Sequence, residues 1–282
     1  LPEDNGSQFD INNLEVWPKP KPIFEYVQKL VRYMCDHSNS ELSQYSSWSP
    51  WTGNHDAFHE EYMKAHGSLI AIGRHFVQKT LSPLPTRKLV PSPSYTLKDE
   101  EPLSQVYDQI GGDCWCDSGA SVLHASFLKW FKKNDIGLST LFPFDFVKND
   151  RDIHDLLIKF AIADGCRGGT FVLFIARVSP ILGALLAIFG GREHLELAEE
   201  WINGGLLKRL KVVETDDGSQ MPGIIEEMRQ EIALPYVLSI KQKDAHGNHA
   251  NHAVVLVKQK ESGEYLALNS WGTREVWGND FY

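Results

Sequence analysis

The chain has 282 residues, of which 42% are apolar and 23% charged, and that balance excludes a disordered tail, a collagen-like fibre and a polytopic membrane protein. Lys plus Arg is 28 against 37 Asp plus Glu, a formal net charge of −9. With that sign and no basic cluster, the chain has no general attraction for a phosphate backbone, so nucleic acid is not an expected partner. Four cysteines (Cys35, Cys114, Cys116 and Cys166) are too few for a disulfide scaffold at this length.

In chain order, a proline run at Pro18, Pro20 and Pro22 precedes a helical stretch over 23–37, with Ile23, Tyr26, Val27, Leu30, Val31 and Met34 on one apolar face. A second helix is expected over 56–81, interrupted near Gly67, because glycine weakens a helix interior. Residues 82–95 hold four prolines and read as an extended connector. They divide an N-terminal helical extension, 1–88, from a longer region, 89–282. In the latter, 114–130 reads as a helix with Val122, Leu123, Phe127 and Trp130 on one side. Helices are also expected over 193–202, stopped by Gly204-Gly205, and over 224–232.

Residues 171–189 form a 19-residue apolar run close to the length of a membrane span. Arg177, Ser179 and Pro180 lie at its centre, where charge and a helix breaker are costly in lipid, so a buried helix broken near Pro180 is expected and no membrane span. The pattern then changes: 235–240, 252–259 and 264–270 are short β-branched or aromatic segments between turn residues, which read as strands. Helices followed by strands is the order of an α+β fold with two packed regions and a cleft between them.

Three segments carry chemistry. Cys114 follows a Gly-Gly-Asp turn and opens a helix, whose unsatisfied amides and positive dipole end stabilise a thiolate. His252 is expected to begin a strand, where the backbone can hold its imidazole over a cleft as a proton acceptor for that thiol. Asn269 is expected to end a strand, and its amide oxygen can accept the second imidazole N–H and fix the tautomer. Trp271 or Trp277 could shield that bond from water. His246, His249 and His252 recur at a spacing that fits no usual zinc pattern, so no metal is expected.

Cys114-Trp115, His252-Ala253-Val254 and Asn269-Ser270-Trp271-Gly272-Thr273 together resemble the papain-like cysteine peptidases. His252 and Asn269 lie 138 and 155 residues after Cys114, close to the family's about 130–150. The resemblance implies a papain-like fold of a helical and a β-rich, barrel-like subdomain, with the active-site cleft between them. It implies a cysteine endopeptidase with Cys114 as nucleophile, His252 as general base and acid, Asn269 as the orienting group and Gln109 completing the oxyanion hole. Gly168 and Gly169, in a stretch like the family's G-C-x-G-G, would bind an extended peptide. Asn251, Ala253 and Trp271 would line substrate subsites, with Thr170 and Phe171 near the specificity pocket. The partner implied is a peptide or protein substrate met by a monomer, without cofactor, in an extracellular, lysosomal or vacuolar setting.

The sequence also departs from the family. Gln109 stands five residues before Cys114 rather than six, Gly111 replaces a half-cystine, Asp113 and Asp117 place negative charge near the thiol, and the chain stops soon after Trp277-Gly278, as a C-terminal truncation would. A catalytically impaired pseudopeptidase that binds peptides or proteins is the alternative. Residues 1–88 stand where the family carries an inhibitory propeptide, and read either as that segment of a zymogen or as a permanent helical accessory region.

Overall fold

In α1 (Lys21–Asp36), Val27, Leu30, Val31 and Met34 recur at helical spacing, and all four are fully buried. A computed structural model describes this helix and residues 54–80, 114–133, 138–162, 169–209, 213, 218–231, 236–243, 249–259 and 265–270 of the chain. The helix α2 (Asn54–Thr80) buries Tyr62, Ala65, Leu69, Ile70, Ile72, Phe76 and Val77. It runs unbroken through Gly67, contrary to the interruption expected there. Apolar burial on both sides of Gly67 outweighs a glycine cost of about 1 kcal/mol.

The helix α3 (Cys114–Lys133) is followed by a single turn, α4 (Leu138–Leu141), and by α5 (Asp150–Ala161). A capping box starts α5: the Asn149 side chain accepts from the Asp152 amide, and the Asp152 carboxylate from the Asn149 amide. At the centre lies α6 (Phe171–Phe189), capped by Thr170, whose Oγ1 accepts from the Leu173 amide. The break expected at Pro180 does not occur. The proline removes one N–H from the ladder, yet α6 is wedged between α2 and α7 (Leu195–Ile202), and Ser179 Oγ donates to the Trp201 carbonyl at 2.8 Å. Glycines set that close approach. A Cβ on Gly73 would lie 2.6 Å from the Ala184 Cα, and one on Gly183 2.4 Å from the Ile202 nitrogen. Among the described helices α6 alone is long and apolar enough to cross a membrane, and 67% of its most apolar stretch is buried in this core.

After α8 (Met221–Glu231), three strands form an antiparallel meander: β1 (Tyr236–Lys243), β2 (His249–Gln259) and β3 (Tyr265–Leu268). Ile240 pairs with His252 and Val255 with Leu268, and a bulge interrupts β2 between Leu256 and Lys258. One face of the sheet presents Val237 and Ala253 to the main core. The other sets Leu238, Leu256 and Ala267 against Ile225 and Met228 of α8. The described architecture is mostly helical with a small antiparallel sheet, an α+β arrangement. Helices α1 and α2 are continuous with it, since their apolar faces share one core with α3, α5, α6 and α7.

Candidate active site

Helix α3 begins at Cys114, so the thiol sits in the first turn, where backbone amides lack helical acceptors. From Trp115 to Ala120 every residue is buried. The sheet lies on one side of this helix, through β1 and β2, and α5 and α6 lie against others. Gly119 allows the α6 contact, for a Cβ there would meet the Phe174 ring at 2.6 Å. Cys114 itself is half-buried. Trp115 and Ala253, which adjoin Cys114 and His252, belong to one hydrophobic cluster, while alternation along β2 turns His252 toward the opposite face of the sheet from Ala253.

His252 does not begin its strand, as expected, but stands three residues inside β2, and Asn269 lies one residue beyond β3. With Val255 opposite Leu268, extending the ladder would set Asn269 opposite Val254, making His252 its diagonal neighbour on the same face. The side chains meet: His252 Nε2 lies 2.7 Å from Asn269 Oδ1. An amide oxygen only accepts, so Nε2 carries the proton and the neutral ring keeps its lone pair on Nδ1. Burial holds the His252 pKa below its ordinary value, and the Asn269 hydrogen bond opposes that by favouring the imidazolium.

Of the remaining predicted residues, Gly169 is exposed and lies against the indole of Trp115: a Cβ on it would be 2.7 Å from Cδ2 and Cε2. Ala253 is buried in the core beside α3. Thr170 caps α6, and Phe171 is half-buried, stacked on Phe174. Asn251 lies in β2, its side chain outside the described residues, as are Gln109, Gly168, Trp271 and Trp277 altogether. Asp117 is buried in the first turn of α3, and Asp113 lies outside the described residues. Cys116 is buried, burial pushes the Cys35 thiol up to about 12, and Cys166 lies outside the described residues.

Sequence reading missed two groups beside α3. Arg177 stood out only as a charge inside an apolar run. Its guanidinium lies over the Trp115 ring at 5.7 Å, and its Nη1 donates to the Ala161 carbonyl at 2.7 Å. The second group is a pair of buried imidazoles, His124 on α3 and His154 on α5, to which periodicity gives no clue. His154 Nε2 lies 3.2 Å from Ser121 Oγ and 3.3 Å from the Asp117 carbonyl. Burial, with His154 nearby, pushes His124 down to about 4.

A pH dependence follows from His124. The unfolded chain takes up a proton near pH 6.5 that the folded chain resists, so stability is complete above pH 6.5 and declines as pH falls to about 4. The loss should reach about 3 kcal/mol by linkage. Urea midpoints at pH 7 and pH 4.5 measure it, and His124→Leu should flatten part of the slope. His66, His194 and His252, all lowered by burial, retain the rest.

Compared with protein-family models, curated proteins and solved structures, the chain matches none.

Proposed function

We propose that the protein is a papain-like cysteine endopeptidase with Cys114 as nucleophile, His252 as general base and acid, and Asn269 as the group that fixes the imidazole. The 2.7 Å contact between His252 Nε2 and Asn269 Oδ1 carries this reading, since it joins two residues from separate motifs and leaves Nδ1 as the basic nitrogen. The packing of α3, the helix that Cys114 opens, against the histidine strand supports it. So does the exposed Gly169 backbone beside the Trp115 that follows the nucleophile.

In this mechanism His252 Nδ1 takes the thiol proton, and the sulfur attacks the scissile carbonyl carbon. The tetrahedral oxyanion collapses as the carbon–nitrogen bond breaks, and the imidazolium protonates the leaving amine. Water, deprotonated by the same nitrogen, then attacks the thioester and releases a carboxylic acid and the thiol. Asn269 keeps the ring in one orientation through both halves.

The test is covalent labelling by a peptidyl vinyl sulfone. Wild type should label stoichiometrically at Cys114, and Cys114→Ala not at all. Asn269→Ala should slow labelling about 10–100-fold, the value of a hydrogen bond to a group that becomes charged. It should also shift the His252 titration, followed by NMR, to lower pH, because the bond removed favours the protonated ring. Equal labelling of the alanine variant discards the nucleophile. A folded wild type that never labels favours a peptide-binding module instead.

A further inference from the structure

Ala161 and Gly169 lie on either side of residues 163–168, and one side chain relates both to the start of the nucleophile's helix. Arg177 projects from α6, donates to the carbonyl of Ala161, the last residue of α5, and covers the Trp115 ring. A cation there satisfies a terminal carbonyl and complements the negative end of the α5 dipole. Its planar guanidinium also meets an aromatic ring at 5.7 Å, inside the range for a cation–π contact. Trp115 is buried, and among the described residues its Nε1 has no hydrogen-bond acceptor. Gly169 lies against that indole with no space for a methyl group.

We propose that Arg177 is a positioning residue: by fixing the Trp115 indole it sets where the exposed Gly169 backbone stands relative to Cys114. This rests on the peptidase reading, in which that backbone pairs with an extended peptide. Arg177 acts through Trp115 and Gly169, so its loss should weaken peptide binding more than it slows thiol chemistry.

The experiment uses the full chain with Arg177→Met, Arg177→Lys and Gly169→Ala. Inactivation by a peptidyl vinyl sulfone is resolved into KI and kinact, alongside alkylation by iodoacetamide, which needs no peptide edge. Arg177→Met should raise KI at least 10-fold while kinact and the iodoacetamide rate stay within threefold, and Arg177→Lys should recover part of the loss. Gly169→Ala, which displaces the indole from the other contact, should raise KI likewise and keeps the test open if Arg177→Met fails to fold. Hydrogen–deuterium exchange should increase together in peptides covering 112–118 and 165–171, with β2 unchanged. An unchanged KI in a folded, labelled variant overturns the positioning role alone. A wild type that never labels overturns the peptidase reading and this role with it.

Discussion

A chain nicked within residues 82–95 will elute as one particle in native buffer, and its two pieces will separate only in denaturant. The reason is the location of α1 and α2. Val27, Leu30, Val31 and Met34, with Tyr62, Leu69, Phe76 and Val77, are buried in the same core as the central helix. Each buried side chain of this size is worth about 1.5–3 kcal/mol, and these terms together far exceed the worth of the connector. Polar contacts add direction: Tyr62 Oη donates to the Phe160 carbonyl at 2.9 Å in a buried setting, and the Asp145 amide donates to Gln28 Oε1. The exposed Arg32–Asp145 pair adds little. Gel filtration after limited proteolysis is the measurement. On the peptidase reading, vinyl sulfone labelling should be the same before and after the nick, because the N-terminal piece stays docked. A C-terminal piece that stays soluble with native circular dichroism once the N-terminal piece has gone would falsify this.

Two glycine-to-alanine changes should act in opposite directions. In Gly183→Ala the new Cβ would stand 2.4 Å from the Ile202 nitrogen and 2.7 Å from the Ala198 carbonyl oxygen. Both are backbone atoms of α7 and its end, so no rotamer change relieves the contact and α6 must move away. Overpacking of this kind costs about 1–3 kcal/mol, and backbone on both sides puts the cost near the top of that range. Alanine's helix preference offsets about 1 kcal/mol of it. A core loosened this way should still lower Tm by several degrees, at about 2–4 °C per kcal/mol for a chain of this size. Gly67→Ala meets nothing within 4 Å on an exposed turn of α2 and should raise Tm by a few degrees. Thermal denaturation of the pair checks both signs, and a fall in both would remove the packing argument.

How much of this was legible depended on whether the controlling interaction is local. The face of α1, the start of α3 and the three strands follow from periodicity, and Val27, Leu30, Val31 and Met34 are buried as that pattern requires. Helix α5 has a capping box but escaped notice, because its apolar positions sit among charges. The continuity of α2 and α6 could not be read, since glycine and proline act locally and the packing that overrides them is tertiary. At the site, the segment around Asn269 suggested an acceptor for a histidine. The diagonal register that brings it to His252 exists only once β2 and β3 are paired. Arg177 and Trp115 are 62 positions apart in sequence, and nothing near either announces the other.

The shared core also bears on biosynthesis. Helix α1 packs on α2 and α5, and α2 packs on α6 and α7, so the two cannot reach their full set of neighbours until Ile202 has left the ribosome. At about 5–20 residues per second, α1 spends on the order of 8–30 s with an oily surface awaiting later helices. Such a nascent chain should bind holdase chaperones early and refold slowly from denaturant, through collapsed intermediates, because so many of its native contacts are distant in sequence.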